Sequence, residues 1–145
     1  MRPAVIRKDL AARRAPPNAP VGWDEARRLL DGLPGGGLNI AWEAVGRHAA
    51  GANADRVAIR WHPAAGAVRA ITYRELDEAS CRFANLLRGL GVGKGDVVFV
   101  LCGRVPELYF AVLGALRLGA AVSPLFSAFG PEPIATRINM GGGKV

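Results

Sequence analysis

The sequence predicts an α/β fold, the N-terminal part of a doubly wound, mostly parallel sheet with helices on both faces and an initial β-hairpin. Three observations support this prediction. Two segments upstream of residue 72 alternate like paired strands, two short apolar runs downstream are typical of buried parallel strands, and amphipathic helical segments separate those runs. The resulting order of strand, helix, strand and helix is that of a doubly wound sheet.

Composition limits the chain to one globular domain without a nucleic-acid interface. Its 145 residues are 50% hydrophobic and 21% charged, which suffices for a single core. The net charge of +7 is spread evenly, with 7 basic and 4 acidic residues before Leu38 and 12 basic and 8 acidic residues from there on. Because a nucleic-acid interface concentrates its basic residues, we expect a solvated, arginine-rich surface and no nucleic-acid partner.

Residues 1–37 are predicted to form an N-terminal extension with one short helix. The segment "WDEARRLLDGL" is helical in pattern and Gly32 lies just past its end, between two stretches rich in Pro and Gly. The extension has no apolar segment of the kind found in secretion signals, so we expect a cytoplasmic protein. The domain proper spans 38–145 and begins with a helix around "LNIAWEAVGRHA", for which Asn39 is a candidate N-cap.

A hairpin and a capped helix follow. "RVAIRW" alternates with period two, "AVRAIT" does so more weakly, and "HPAAG" between them supplies turn residues. "TYRE" is a capping box, in which the Thr72 hydroxyl accepts from the Glu75 amide while the Glu75 carboxylate accepts from the Thr72 amide. A helix should therefore start there. Its predicted buried face comprises Leu76, Ala79, Phe83, Leu86, Leu87 and Leu90.

The second half of the domain is predicted as strand, helix, strand and helix. "VVFVL", Val97 to Leu101, is apolar throughout, and "AAVSPLF" forms another buried strand. Between them Pro106 opens a helix that stops at Gly119. "GPEPIATRINMGGG" completes the pattern with a helix. The most apolar window runs from Leu108 to Phe126, with Arg117 near its centre. An arginine there would cost about 2.5 to 3.5 kcal/mol in a membrane span, so we expect no membrane partner.

The stretch "GLGVGKGD", Gly89 to Asp96, resembles a phosphate-binding loop only in composition. Such a loop follows a strand and opens a helix, so that free amides face the anion. This stretch leaves a helix and enters a strand, which predicts Gly89 and Gly91 as C-cap glycines and Gly93 to Asp96 as a tight turn with Lys94 exposed. The terminal "GGGKV" also follows a helix and has Val145 where a Walker loop has Ser or Thr.

No catalytic residue and no metal ligand is predicted. Cys81 and Cys102 lack ligand spacing and are interpreted as small buried hydrophobic residues of a reducing compartment. His48 and His62 have no identifiable carboxylate or nucleophile partner, so we interpret both as packing or surface residues.

The segments quoted above resemble the opening of the AMP-forming acyl-CoA synthetases, and most closely the acetate-type enzymes. The resemblance runs from about Val21 to Val145 and is most specific from Thr72 to Ile138, across "ITYRELDEASCRFANLLRGLGVGKGDVVFVL" and "PELYFAVLGALRLGAAVSPLFSAFGPEPIATRI". It implies an acetate–CoA ligase that joins a small carboxylate to CoA with ATP and Mg²⁺. In that family, the phosphate loop, the adenine and ribose motifs and the catalytic lysine would lie beyond Val145. The partner that these residues lack is therefore the remainder of the chain. We therefore expect these residues to be inactive alone and to show no measurable binding of ATP, CoA or Mg²⁺.

The resemblance also implies one contact with CoA. The Phe-Gly-Gly-Phe segment that lies against CoA in the acetate-type enzymes aligns with "FSAF", which assigns Phe126, Ser127 and Ala128 to that contact. Ser127 and Ala128 replace the two glycines, which backbone contacts tolerate but a close approach does not. The favoured interpretation of Phe126 and Phe129 is nevertheless that they are core aromatics closing the strand.

Two alternatives remain open from the sequence. The first is a non-catalytic α/β interaction module that pairs with a partner subunit through unpaired strand edges. The second is a flavodoxin-like nucleotide binder, for which only "CGRVPE" occupies the required turn from strand to helix.

Overall fold

The computed structural model describes residues 22–145, and these fall into two compact units. The first unit ends at Leu30 and contains helix α1 (Trp23–Arg28), which stops one turn earlier than the sequence pattern predicted. The second unit, Asp31–Val145, contains all remaining elements. The basic residues before Val21 lie outside the described residues, and the domain boundary at 37/38 stays a prediction.

The first helical segment of the second unit contains a π-helical turn that the sequence did not reveal. Asn39 caps it as predicted, because its Oδ1 accepts from the amides of Ala41 and Trp42 at 3.0 and 3.2 Å. The π turn spans Trp42–Gly46 and continues into α2 (Arg47–Ala49). The Trp42 indole packs so closely over Gly46 that a Cβ there would lie 2.6 Å from Trp42 Cε3. A 3.6-residue hydrophobic period does not predict a π-helical turn.

The predicted hairpin is present. Strands β1 (Val57–Trp61) and β2 (Arg69–Thr72) pair antiparallel, with an irregularity between Val57 and Ile59. Helix α3 (Tyr73–Gly89) starts at the predicted capping box, in which the Glu75 amide donates to Thr72 Oγ1 at 3.2 Å and the Thr72 amide donates to Glu75 Oε2 at 2.7 Å. Ile71, Leu76 and Val45 form a small core beneath the hairpin.

Helix α3 buries a narrower face than the sequence predicted. Its buried residues are Leu76, Ser80, Ala84 and Leu87. Leu86 and Leu90, expected on the same face, are exposed instead. The helix ends with Gly89, Leu90 is the C-cap, and Gly91 adopts the left-handed φ of +82° that suits glycine. The predicted turn from Gly93 to Asp96 follows, with Lys94 exposed.

Strands β3 (Val97–Leu101) and β4 (Ala121–Leu125) form a parallel pair in the register Val97↔Ala121 to Leu101↔Leu125. Helix α4 (Pro106–Arg117) connects them and ends before Gly119, whose φ is +73°. Helix α5 (Pro131–Gly141) follows β4. The predicted order of strand, helix, strand and helix is therefore confirmed.

Helices lie on both faces of this pair. Val98 and Val100 join Leu87, Ala111 and Ala115 in the main core with α3 and α4. Phe99 points to the opposite face, where the end of α5 approaches its ring. The expectation that β4 is fully buried is wrong for this structure, because only Leu125 is buried and Ala121 and Pro124 are exposed.

Candidate functional site

The carboxyl ends of β3 and β4 define the candidate site. Because the strands are parallel, Leu101 and Leu125 end side by side, and the segments after them leave the same edge of the sheet. Ligands of open α/β sheets bind outside the carboxyl ends of the strands. The segment after β4 contains Phe126, Ser127 and Ala128, for which the family resemblance implies a contact with CoA.

Those residues form a tight, exposed turn. The Phe129 amide donates to the Phe126 carbonyl at 3.0 Å, which places Ser127 and Ala128 at the turn centre. No non-glycine residue between 22 and 145 has a positive φ, so Ser127 and Ala128 occupy the turn without backbone strain. The two replacements of glycine are therefore compatible with this backbone.

Phe126 itself is not a core residue. Its side chain is 64% exposed, so the interpretation that it closes the strand as a core aromatic is wrong. It meets Phe129 edge to face, with ring centroids 5.6 Å apart. Phe126 lies between the end of β4 at Leu125 and the start of α5 at Pro131.

Phe129 anchors the turn to α5. The Arg137 guanidinium lies 4.1 Å from the Phe129 ring centroid, within the range of cation–π attraction. Arg137 also donates to the Pro133 carbonyl at 3.0 Å, which holds its side chain along the helix. The turn is thus fixed through Phe129, while Phe126 and the two central residues face solvent.

Both lysines of the glycine–lysine stretches lie at the other end of the strands. Lys94 precedes β3 and is exposed. Lys144 Nζ contacts Asp96 Oδ2 at 3.1 Å and also donates to the Gly91 carbonyl. In addition, the Lys144 amide donates to the Val97 carbonyl at 3.0 Å, so the end of the chain runs beside β3. Neither lysine therefore reaches the carboxyl edge, and Lys94 lies exposed in the turn predicted for it.

A polar cluster between α3 and α4 escaped sequence analysis. Arg117 donates to Asp77 Oδ1 and, through Nε at 2.8 Å, to Ser80 Oγ, while Ser80 donates to the Asp77 carbonyl at 2.8 Å. Ser80 is fully buried, so its hydroxyl requires these partners. Asn39 Nδ2 donates to the Leu116 carbonyl at 2.9 Å and thereby satisfies the end of α4. These contacts join the first helical segment, α3 and α4.

The shifts in pKa also have structural causes. Hydrogen bonds from Thr72 hold the pKa of Glu75 below its ordinary value, and the Gly93 amide, followed by Lys144, does the same to the pKa of Asp96. Burial raises the pKa of the Cys81 thiol, which lies near Asp77. Cys81 and Cys102 are free and half-buried, not fully buried as predicted. The pKa of Glu75 is thus lowered at a helix cap, that of Asp96 is lowered in a turn, and that of Cys81 is raised by burial on α3.

The histidines match their interpretation as packing and surface residues. The His48 ring lies 5.0 Å from the Tyr73 ring, and its Nδ1 is 3.2 Å from Asn53 Nδ2. His62 is exposed. Between residues 22 and 145, no three His, Cys, Asp or Glu side chains are grouped so that they could hold a metal ion. No helix in the same range is long and apolar enough to cross a membrane.

Comparison with known proteins assigns the chain to a family. The model of the AMP-binding enzymes matches residues 46–145, which is more than half of the chain. The chain belongs to the AMP-binding enzyme family. Acetyl-coenzyme A synthetase of Sodalis glossinidius is 44% identical over 104 residues, which cover 71% of this chain and 16% of that protein. The enzyme of the same name from Shewanella oneidensis is 43% identical over 124 residues, 85% of this chain and 19% of that protein.

Two solved structures are also similar to this chain. An acyl-CoA synthetase of Brucella canis superposes with a TM-score of 0.75 at 39% identity and covers 83% of this chain. The N-terminal subdomain of Klebsiella oxytoca NpsA, in complex with anthranilyl-AMSN, superposes with a TM-score of 0.62 at 28% identity. This AMP-binding enzyme chain spans 22% of the Brucella chain and 26% of the Klebsiella chain. It therefore corresponds to about a fifth of its relatives' length.

The described residues of this AMP-binding enzyme contain neither a metal-ligand cluster nor a phosphate loop. Between residues 22 and 145, no three His, Cys, Asp or Glu side chains are grouped so that they could hold a metal ion by themselves. Phosphate loops place amides and a lysine at a helix N-terminus, whereas Lys94 and Lys144 lie beside the amino end of β3. The turn from Phe126 to Phe129, by contrast, follows β4 at the carboxyl edge of the strands.

Proposed function

We propose that this chain is the N-terminal portion of an AMP-forming acyl-CoA synthetase of the acetate–CoA ligase type. The reaction converts acetate, ATP and CoA into acetyl-CoA, AMP and pyrophosphate. The observation that carries the proposal is the identity of 43–44% to acetyl-coenzyme A synthetases, extending over up to 85% of the chain. The family match favours this function over a non-catalytic interaction module.

The proposed chemistry has two steps. A carboxylate oxygen attacks the α-phosphorus of ATP, and the bond to pyrophosphate breaks. The CoA thiolate then attacks the acyl carbonyl, and AMP leaves with the bonding electron pair. Mg²⁺ would neutralise charge on the transferring phosphates in the first step. We assign the first step to groups outside the residues described here. We also propose that the reaction takes place in the cytoplasm.

The role of this chain in the second step rests on the turn after β4. Phe126 is 64% exposed at the carboxyl edge, and the turn that carries it is fixed through Phe129 and Arg137. An exposed aromatic ring on a fixed turn offers apolar area to a ligand at little entropic cost. We therefore assign the contact with CoA to Phe126 and to the backbone of Ser127 and Ala128.

A chimera tests the proposed acetate–CoA ligase function. Residues 31–145 replace the aligned segment of Shewanella oneidensis acetyl-CoA synthetase, and acetate-dependent exchange of labelled pyrophosphate into ATP is measured. The parent enzyme is the positive control, and the parent with that segment deleted is the negative control. We expect exchange well above the deletion control. A chimera that melts cooperatively and is monodisperse, yet shows no exchange, would contradict the proposal.

The same chimera tests the CoA contact separately from adenylation. Phe126→Ala is expected to raise KM for CoA about tenfold, as loss of an aromatic contact with bound CoA worth about 1.4 kcal/mol would do, while leaving pyrophosphate exchange unchanged. Leu90→Ala, which also trims an exposed side chain, serves as the control and should change neither value. Equal loss of exchange and thioester formation in Phe126→Ala would show that the turn is only structural.

A further inference from the structure

A second cleft, outside the turn after β4, lies where the end of β1 meets the loop that opens α4. It has a volume of about 370 Å³. Its polar lining comes from Arg60, Trp61 and His62 on one side and from Arg104 and Tyr109 on the other, above aliphatic side chains of both elements. No acidic residue lines the cleft.

The two arginines of this cleft differ from the other arginines of the unit. Residues 31–145 contain ten arginines. The described contacts give a hydrogen-bond or ion-pair partner to the guanidinium of eight of them, namely Arg47, Arg56, Arg69, Arg74, Arg82, Arg88, Arg117 and Arg137. Arg60 and Arg104 are the two whose guanidinium has no such partner among the described residues. They are 44 positions apart in sequence, and the fold brings both to one cleft.

The walls of the cleft are held together. Trp61 Nε1 donates to the Arg104 carbonyl at 2.9 Å, which joins the strand to the loop and fixes the indole ring. Glu107, the nearest acid in sequence to Arg104, is paired at 3.5 Å with Arg69 and is therefore engaged elsewhere. The Tyr109 ring is 52% exposed across the cleft from β1. Two arginines and two aromatic residues, Arg60, Trp61, Arg104 and Tyr109, thus line a space of small-molecule size.

We propose that this cleft binds a small aryl phosphate, that is, a phosphate monoester carried directly on an aromatic ring. A phosphate monoester is close to a dianion at neutral pH, so it neutralises two guanidinium groups, whereas a carboxylate would leave one charge uncompensated. Guanidinium forks match phosphate oxygens in bidentate geometry. The indole of Trp61 and the phenol of Tyr109 supply faces and edges for the ligand's ring. This site is independent of the ligase function proposed above.

The test uses the indole N–H signals of the 145-residue chain in a ¹H–¹⁵N spectrum. The chain has three tryptophans, and Trp61→Phe identifies the signal of interest. On titration with phenyl phosphate, we expect the Trp61 signal to shift saturably while those of Trp23 and Trp42 stay fixed. Inorganic phosphate and phenol, which each carry half of the ligand's chemistry, should bind at least about tenfold more weakly.

Matched arginine variants decide whether the cleft is responsible. Arg60→Gln and Arg104→Gln should each weaken binding about tenfold or more, the loss expected for one charge-assisted hydrogen bond. Arg82→Gln removes an exposed arginine that pairs with Glu78 on α3 and should leave binding unchanged. Because all three side chains are exposed, their removal should preserve the methyl spectrum of the fold.

Three outcomes would overturn the proposal. The first is the absence of a saturable Trp61 shift up to about 10 mM phenyl phosphate, a concentration well above the millimolar affinity of a weak specific site. The second is equal weakening by Arg82→Gln, which would indicate general electrostatic attraction. The third is equal affinity for inorganic phosphate, which would indicate an adventitious ion only. Because no step of this test measures ligase activity, its failure would leave the proposed function untouched.

Discussion

The two faces of the β3–β4 pair are built differently. On one face, Val98 and Val100 pack against α3 and α4, and each of these helices has four buried residues. On the other face, the Phe99 ring lies against Gly141, at the end of α5, and against Gly143 beyond it, and α5 has no buried residue. A cleft of about 480 Å³ is lined by residues of that helix and of the strands. The same two strands thus have one closed face and one open face.

The buried side chains of the closed face stabilise the fold, whereas the exposed apolar side chains elsewhere can contact other molecules. Leu87 and Ala115 on the closed face are at most 2% exposed, and burial of a large aliphatic side chain contributes about 1.5 to 3 kcal/mol to folding. On the open side, Met140 is 83% exposed and Phe126 is 64% exposed. We infer that stability comes from the closed face and that the exposed apolar side chains are free for contacts with ligands or further protein.

The largest expected effect comes from Leu87→Ala. It removes a buried side chain at the centre of the closed face, and comparable truncations cost about 2 to 5 kcal/mol of unfolding free energy. Met140→Ala, which trims a side chain on α5, should change that free energy by less than about 0.5 kcal/mol. Urea unfolding followed by circular dichroism measures both. Similar losses in the two variants would contradict the contrast between the faces.

Two glycines test how tightly the closed face is packed. A Cβ on Gly114 would lie 2.9 Å from Phe83 Cβ and 3.0 Å from the Ala84 amide nitrogen, so Gly114→Ala should cost about 1 to 3 kcal/mol by forcing α3 and α4 apart. A Cβ on Gly89 meets nothing within 4 Å, so Gly89→Ala should be neutral or stabilise by up to about 1 kcal/mol. Melting temperatures that fall equally in both variants would reject close packing at Gly114.

The capping box gives a smaller effect. Thr72→Ala removes the acceptor of the Glu75 amide at the start of α3 and should cost about 0.5 to 2 kcal/mol. Thr136→Ala on α5 removes a hydroxyl that only donates to the Glu132 carbonyl of its own helix, so its urea midpoint should stay within error of the parent. An unchanged midpoint for Thr72→Ala would show that the cap does not stabilise the helix.

Acid should erase the contribution of two carboxylates. Glu75 and Asp96 have a lower pKa in the folded chain than their ordinary values, so both stabilise the fold above the ordinary carboxyl pKa. That contribution is lost as the pH falls through the lowered pKa. The difference in unfolding free energy between the parent and Asp96→Asn should therefore be largest at neutral pH and shrink in acid. If that difference in unfolding free energy did not depend on pH, the hydrogen bond from the Gly93 amide to Asp96 would not be what stabilises the fold.

Local signals in the sequence predicted the elements well. Thr72 and Glu75 are three residues apart, and Pro106 and Gly119 mark the ends of α4 by their own backbone preferences. Contacts between distant residues were not predictable in the same way. The pairing of Asp77 with Arg117 joins positions 40 apart on two helices, and their meeting depends on how the helices cross.

Two features of the candidate sites also depend on contacts that the sequence does not predict. The exposure of Phe126 was missed because an aromatic residue at a strand end is buried only if another element packs over it, which the period of the strand does not specify. The cleft between Arg60 and Arg104 was missed because the hairpin and the α4 loop converge only in the folded unit. The segment from Phe126 to Phe129 could be located through its resemblance to the acetate-type enzymes, but its turn and its exposure could not be predicted.

Amide hydrogen exchange of the 145-residue chain, resolved by residue, tests the contrast between the faces most directly. Exchange reports the free energy of local opening, which is highest where backbone hydrogen bonds lie beneath buried side chains. Amides of α3, α4 and β3 should exchange slowest and together, whereas amides of α5 should exchange at least about a hundredfold faster, equivalent to about 2.8 kcal/mol of lower opening free energy. Equal protection of α5 and α3 would contradict the account.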